Sequence, residues 1–144
     1  MSGLNDPGVI ARVLTQCRTI AVVGMSADRS RDSYQIGQYL QRHGYRIVPV
    51  NPTYAGTSIL GELCYSSLQK AEQALLAEGG HIEIVDCFRR ADAMEPIAAD
   101  AIEIGAQCLW MQFGVINQAA VALAEAAGLA VVMDRCIKVE HADL

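Results

Sequence analysis

A polar loop after the first apolar run carries the residues best suited to binding an anion. The run Thr19–Val23 ends at Gly24, and the loop adds the donors Ser26, Arg29, Ser30, Arg31 and Ser33. Hydroxyl and guanidinium groups donate hydrogen bonds to phosphate oxygens. A glycine permits a tight turn that leaves the next amides exposed. The loop therefore predicts an anion site, and the plainer interpretation is a solvated loop that caps the following helix.

Other candidate ligand-binding residues follow three later apolar runs. They are Asn51, Pro52 and Tyr54 after the second run, Phe88 and Arg89 after the third, and Gln112 and Gly114 after the fourth. A guanidinium can pair with phosphate, and an aromatic ring can cover an adenine or an apolar ligand arm. The Gln112 amide either meets a ligand amide or caps its own loop. We include Met25, which lies inside the first loop, among the binding residues.

No catalytic or metal-binding constellation stands out in the sequence. It lacks G-x-S-x-G, G-x-x-x-x-G-K-[ST] and H-E-x-x-H, and its five cysteines are scattered without C-x-x-C spacing. We assign no catalytic and no metal-binding residue. Asp134, Arg135 and Cys136 stand in a row, which keeps open the alternative of an enzyme that uses Cys136 as an activated thiol beside Asp134.

The first loop also lacks the marks of a dinucleotide site. G-x-G-x-x-G is absent, and Asn51 stands where such a fold usually presents an acidic residue to the ribose. Both absences disfavour a nicotinamide cofactor. A module that senses NAD(P) or another nucleotide remains a second alternative.

Length and composition restrict the class of protein. The chain has 144 residues, 52% of them hydrophobic, and a net charge of −5. These values predict one domain over residues 1–144, with residues 1–18 forming a helix that packs on it. The negative charge disfavours nucleic acid as a partner. No apolar run approaches the roughly 18 residues that span a bilayer. The scattered cysteines and the lack of a signal pattern favour a cytoplasmic protein. We expect it to be a monomer or a weak homo-oligomer.

Helical and strand patterns alternate along the chain. Strands are expected at 19–23, 45–52, 81–88, 106–114 and 129–134, and helices at 7–17, 34–43, 66–80, 92–102 and 117–128. Asp6, Ser66 or Ser67, an Asp92–Glu95 capping box and Asn117 are the expected caps. Residues 53–65 show no strong period and have room for one very short edge strand. Residues 137–144 look like a polar tail.

This alternation predicts an α/β protein, a single Rossmann-like doubly wound parallel sheet of about five strands with helices on both faces. In such sheets ligands bind beyond the carboxyl ends of the strands, where the strand order reverses. The reversal is expected between the first strand and the 82–87 strand. The loops 25–34, 51–54 and 88–91 are therefore the predicted ligand-binding loops.

Five segments in register carry a family resemblance: TIAVVGMSADRSRDSYQIGQYLQRHGYRIVPVNP, LGELCYSSL, EIVDCFRRADAM, AIEIGAQCLWMQFGVIN and AAGLAVVMDRC. Together they resemble the stand-alone CoA-binding-domain proteins (the YccU-like family), which are related to the N-terminal domain of the succinyl-CoA synthetase α subunit. The resemblance runs from about Arg18 to His141. The chain departs from the family pattern at Ile137, where proline is frequent, and at Cys87, where valine is frequent.

The resemblance implies a small-molecule ligand, coenzyme A or an acyl-CoA, bound without catalysis by this domain. The synthetase carries its phosphorylated histidine in a further domain. By analogy, the phosphates lie beside Gly24, Ser26 and the segment 29–33. The nucleotide end meets Asn51, Pro52 and Tyr54, while Phe88 and Arg89 line the other side. The loop with Gln112 and Gly114 lies towards the pantetheine arm.

Overall fold

Helices and strands alternate throughout the structure, a computed structural model that describes residues 3–144. Residues 1–2 of the expected domain 1–144 lie outside the described part. The strands in this part are β1 Thr19–Val23, β2 Arg46–Val50, β3 Ser58–Ile59, β4 Glu62–Leu63, β5 Ile84–Cys87, β6 Cys108–Met111 and β7 Ala130–Val132. The α-helices are α1 Pro7–Gln16, α2 Asp32–Arg42, α3 Leu68–Ala77, α4 Met94–Glu103, α5 Gln118–Ala126 and α6 Ile137–Ala142.

The main sheet confirms the predicted fold class. In the described part of the chain it has five parallel strands in the order β2-β1-β5-β6-β7. The chain builds outward from β1 to β2, then crosses to the other side of β1 to form β5. The strand order therefore reverses between β1 and β5, as expected. Val23 pairs with both Val50 and Cys87, so the three strands around the reversal end at one level.

Alternation of side chains along each strand divides the core between the two faces of the sheet. Ile20 and Val22 of β1 pack in a cluster with residues of α1, α2 and α6. Ala21 and Val23 pack in a second cluster with residues of α3, α4 and α5. Since both faces are covered, the strands are almost wholly apolar.

Pro49 lies on the edge strand β2, where its missing amide hydrogen removes no bond from the centre of the sheet. Beyond β2, the amide of Tyr65 donates to the Pro49 carbonyl at 3.0 Å, and the amide of Asn51 donates to the Tyr65 carbonyl at 2.9 Å. These two bonds hold residues 51–65 against the end of β2, next to the predicted ligand-binding loops.

Most of the predicted helix caps are present. Asp6, Ser67 and Asn117 accept hydrogen bonds from first-turn amides of α1, α3 and α5. The Asp92–Glu95 capping box is wrong. A 3-10 turn over Ala91–Ala93 precedes α4 and makes Ala93 its N-cap residue. The Asp92 carboxylate instead faces Arg90 at 3.4 Å.

Two segments hold more structure than the sequence predicts. Residues 58–63 form an antiparallel hairpin of two strands, β3 and β4, rather than one short strand. Its tight turn places Leu60 and Gly61 at φ of +54° and +77°. The expected polar tail is the helix α6, and His141 in it is hydrogen-bonded, with its Nδ1 2.8 Å from the Tyr39 hydroxyl.

Candidate functional site

A cleft lies beyond the carboxyl ends of β1, β2 and β5, where the strand order reverses. We call it the switch-point cleft. It has a volume of about 600 Å³ and is lined by Gly24, Ser26, Ser30, Arg31, Asp32, Ser33, Asn51, Thr53, Tyr54 and Phe88. Seven of the residues predicted for the ligand site meet here: Gly24, Ser26, Arg31, Ser33, Asn51, Tyr54 and Phe88. They come from all three predicted loops.

Gly24 brings the first and third loops together. It has φ of +85°, and a Cβ atom there would lie 2.5 Å from the Phe88 carbonyl oxygen. Backbone bonds fix the same junction: the Gly24 amide donates to the Val50 carbonyl at 2.8 Å, and the Phe88 amide donates to the Val23 carbonyl at 2.9 Å. Only glycine fits this turn without moving the backbone.

The amino end of α2 leaves two amides facing the cleft without an acceptor. Arg31 is the N-cap residue in an extended conformation, and its side chain does not cap the helix. The Tyr34 and Gln35 amides donate to the Arg31 carbonyl, each at 3.1 Å. The amides of Asp32 and Ser33 have no acceptor among residues 3–144. Unpaired first-turn amides and the positive end of the helix dipole favour an anion.

Within residues 3–144, the hydroxyl groups of Ser26 and Ser33 accept hydrogen bonds and donate none. The Ser33 Oγ accepts from the Ser26 amide at 3.0 Å, and the Ser26 Oγ accepts from the Asp28 amide at 3.0 Å. Because a hydroxyl that accepts a bond still has its own hydrogen to donate, both serines can also bind an oxygen atom of a ligand. Ser30 differs, since its hydroxyl donates to the Asp28 carboxylate at 2.7 Å. The Ser30 amide and hydroxyl bonds hold the pKa of Asp28 below its usual value.

The cleft carries little net charge. Arg31 and Asp32 are the charged side chains that line it in the described part of the chain, and both are exposed. The carboxylate of Asp32 opposes the charge of Arg31. Attraction of an anion to the cleft therefore depends on the amides and hydroxyls as much as on the guanidinium.

Asn51 lines the cleft, and its side chain is bonded to the backbone of Met25. Asn51 is 9% exposed; its Nδ2 donates to the Met25 carbonyl at 2.9 Å, and its Oδ1 accepts from the Thr53 amide at 3.0 Å. The Met25 side chain is fully buried, and its Cε lies 2.8 Å from the position that a Cβ of Gly37 would take. The amide of Asn51 and the side chain of Met25 are thus used inside the protein.

A second cavity opens on the other side of Gly24, and we call it the apolar cavity. Its volume is about 310 Å³, and its lining is Val23, Gly24, Val50, Pro52, Ser66, Leu68, Arg89, Ala93, Pro96, Ile97 and Asp100. Two predicted site residues, Pro52 and Arg89, lie here rather than in the cleft. Leu68 and Ile97 could not be predicted as site residues because they belong to helices that show only a core-facing period.

Four predicted site residues line neither space: Met25, described above, and Gln112, Gly114 and Arg29. Gln112 is buried, and its Oε1 accepts from the Ile137 amide at 3.1 Å, so it bonds to the first residue of α6 rather than to its own loop. The Gly114 amide donates to the Asp134 carboxylate at 2.7 Å. Arg29 points to a different pocket, between α2 and α6. Asp32 and Thr53, which also line the cleft, lie inside the predicted loops 25–34 and 51–54, although the sequence does not single them out as binding residues.

Four of the five cysteines belong to the core. Cys17, Cys64, Cys87 and Cys108 are buried, and Cys136 is partly exposed. Burial raises the pKa of the Cys17, Cys64 and Cys87 thiols. Within residues 3–144 no group of three or more possible ligands gathers to hold a metal ion. No helix of this part has the length and apolar content to cross a membrane.

A parallel α/β sheet with a polar cleft at its switch point is the arrangement of the Rossmann-like class, in which ligands bind at this point of the sheet. A family model described as a CoA binding domain matches residues 18–142. The chain therefore belongs to this family, as the resemblance predicted.

The relatives are stand-alone proteins of similar length. The chain is 37% identical to the uncharacterized protein YneT of Bacillus subtilis over 133 residues, 92% of each protein. A solved structure from Thermus thermophilus is 30% identical with a TM-score of 0.85, covering 96% of this chain and 98% of that one. A hypothetical protein from Pyrococcus horikoshii is 36% identical with a TM-score of 0.83, covering 96% and 91%.

Proposed function

We propose that the protein binds coenzyme A or an acyl-CoA, with the phosphates in the switch-point cleft. The observation that carries this proposal is the set of unused donors at one point: the amides of Asp32 and Ser33 beside the hydroxyls of Ser26 and Ser33. A diphosphate has enough oxygen atoms to accept from all of them. Membership of the CoA binding domain family selects the ligand among phosphate compounds.

The charge of the protein requires a local site of this kind. CoA carries about four negative charges near neutral pH, since each phosphate group contributes one to two. The protein itself has a net charge of −5, so its overall field repels the ligand. Oriented amides attract an anion without adding to the net charge, and Arg31 contributes one guanidinium beside them.

The apolar cavity is proposed to receive the adenine ring. Val23, Val50 and Leu68 supply apolar walls, and Arg89 lines the same space. A guanidinium stacks on the face of a ring. Gly24 borders both spaces, so a ligand can place its phosphates on one side of this residue and its base on the other. The pantetheine arm then runs along the remaining loops, with the one that contains Gln112 and Gly114 predicted to lie nearest.

Each of the two alternative functions requires a particular chemical group in the site. An NAD(P) sensor needs an acceptor for the ribose hydroxyls after β2, and the side-chain amide of Asn51 is already bonded to Met25 and Thr53. An enzyme that uses Cys136 and Asp134 needs a thiolate. The Asp134 carboxylate accepts a hydrogen bond from the Gly114 amide and is thereby turned towards the loop after β6. We therefore propose binding and not thiol chemistry as the activity.

Titration calorimetry of the purified protein with CoA tests the proposal, together with a thermal-shift panel of CoA, acetyl-CoA, NAD, NADP, FAD and ATP. We expect CoA or acetyl-CoA to bind and to raise the melting temperature more than any other compound. A larger rise with NAD, or no heat with millimolar CoA, contradicts the proposal. Thiol labelling separates the enzyme alternative: slow labelling of Cys136, unchanged by CoA, argues against it.

A further inference from the structure

A third pocket lies between α2 and α6, away from the switch-point cleft, and we call it the basic pocket. Its volume is about 660 Å³, and it is lined by Arg29, Tyr34, Gln35, Gln38, Tyr39, Arg42, His43 and Lys138. None of these residues lines the switch-point cleft or the apolar cavity. The proposed CoA site therefore does not use it.

The charge of this pocket has one sign. Arg29, Arg42 and Lys138 supply three of the 11 basic residues of the chain. Within residues 3–144 none of the three forms a salt bridge, and no acidic side chain lines the pocket. The carboxyl end of α2 contributes about half a negative charge at most. Three cations exceed that charge several-fold, so the pocket attracts anions although the protein as a whole is acidic.

Several side chains that line the pocket are held in place by contacts within the protein. The Gln35 Nε2 donates to the Arg29 carbonyl at 3.3 Å, which ties the loop to α2. The Lys138 Nζ lies 5.3 Å from the centre of the Tyr39 ring, which the His43 ring contacts from 4.0 Å between centres. Because a carbonyl only accepts, the 2.7 Å contact of the His43 Nδ1 with the Tyr39 carbonyl places a hydrogen on Nδ1.

We infer that the basic pocket is a second anion site, which binds a small ligand with several phosphate charges. A single phosphate meets one or two of the cations at a time, whereas a chain of linked phosphates reaches all three. The pocket has small-molecule dimensions, and the net charge of −5 disfavours a nucleic acid, whose continuous backbone carries many negative charges. The inference does not depend on the identity of the ligand in the switch-point cleft.

Inorganic tripolyphosphate is the probe, titrated by calorimetry at low salt into the full-length protein saturated with CoA. The variant R42A/K138A removes two of the three cations, both on exposed side chains. The control R12A/K70A removes the same charge from exposed positions outside the basic pocket. We expect tripolyphosphate to bind the parent and the control alike, and to bind R42A/K138A at least tenfold more weakly. Orthophosphate is expected to bind all of them more weakly than tripolyphosphate.

The outcomes distinguish this site from the proposed CoA site. If tripolyphosphate no longer binds once CoA is present, or if R42A/K138A and R12A/K70A lose affinity equally, the second site does not exist. If CoA itself fails to bind, the titration is repeated on R31A/S33A, which alters the cleft alone. Retained binding by R31A/S33A and weakened binding by R42A/K138A then supports the basic pocket, whatever the fate of the CoA proposal.

Discussion

The negative charge of Asp32 opposes anion binding in the switch-point cleft. It stands in the first turn of α2, where a carboxylate stabilises the helix by interaction with the dipole. The same carboxylate lines the cleft beside Arg31 and repels a bound phosphate. At this position the stability of α2 favours a carboxylate, whereas affinity for CoA favours a neutral side chain.

The variant D32N is therefore expected to bind CoA about fivefold more tightly, since one unit charge near a solvated phosphate is worth about 1 kcal/mol. Its free energy of unfolding should fall by about 0.3–1 kcal/mol because the helix dipole loses its partner. Calorimetry and urea denaturation measure the two effects. D143N, an exposed change at the carboxyl end of α6, is the control and should leave affinity unchanged. Weaker binding by D32N would show that the phosphates do not lie beside this turn.

Arg29 and Arg31 show what sequence reasoning resolves at a single residue and what it does not. The sequence predicts that both guanidinium groups contact phosphate, because both residues lie in the polar loop after the first strand. The structure turns Arg31 into the switch-point cleft and Arg29 into the basic pocket. The direction of each arginine side chain depends on hydrogen bonds within the loop, which the residue types alone do not reveal. The Ser30 amide donates to the Asp28 carboxylate, and the Arg31 amide donates to the Asp28 carbonyl.

At the scale of elements, the turn between β1 and α2 depends on Gly24. A left-handed backbone costs a non-glycine residue about 1–2 kcal/mol. At Gly24 the added Cβ would also meet the Phe88 carbonyl at 2.5 Å, and backbone atoms cannot rotate out of the way. Gly44 ends α2 with φ of +92°, but a Cβ there would meet nothing within 4 Å.

We expect G24A to lower the free energy of unfolding by at least twice as much as G44A, which should lose about 1 kcal/mol from its backbone conformation. Guanidinium denaturation followed by circular dichroism measures both variants. Equal losses would mean that the loops after β1 and β5 can separate without cost, and the cleft would then not be preformed.

The main elements could be predicted because each has a local cause. Thr19–Val23 and Ile84–Cys87 are buried on both faces and therefore read as short apolar runs. The β3–β4 hairpin could not be predicted, because its turn places Leu60 at a positive φ that leucine rarely adopts. The apolar cavity was also missed, since α3 and α4 contribute to it only after they pack on the sheet.

At the scale of the whole molecule, the most unusual group is Asp86, in the middle of β5. It pairs in register with Val22 and Trp110 and is fully buried. Neither of its carboxylate oxygens has a hydrogen-bond partner within residues 3–144. Burial without a counter-charge raises the pKa of Asp86 well above its usual value. The folded protein therefore holds this proton more tightly than the unfolded chain does.

This raised pKa makes stability depend on pH. Below the unfolded pKa, near 3.8, both states are protonated and the Asp86 contribution is fully present. As the pH rises towards the folded pKa, only the unfolded state ionises, and about 1.4 kcal/mol is lost for each pH unit. D86N should therefore be more stable than the parent at pH 8, with a difference that shrinks towards pH 4. Urea denaturation across this range measures it, and a difference independent of pH would mean that Asp86 is not buried as a neutral acid.

His141 contributes a smaller slope of the opposite sign. Burial, together with the nearby His43 and Arg18, lowers the pKa of His141. The contribution of neutral His141 to the free energy of unfolding is fully present above its pKa in the unfolded chain, about 6.5. It falls as the pH drops towards the pKa of His141 in the folded protein. The D86N comparison should therefore use the same buffer series for both proteins, so that the His141 slope cancels.

The location of the ligand decides between a CoA site and a loop that only caps α2. R31A/S33A removes the guanidinium and one hydroxyl from the switch-point cleft, and R12A removes an exposed arginine outside it. Calorimetric titration of the parent and these two variants with CoA measures their affinities directly. We predict that R12A binds CoA as the parent does, and that R31A/S33A still unfolds cooperatively but binds CoA about tenfold to hundredfold more weakly. Unchanged affinity in R31A/S33A would contradict the proposed site.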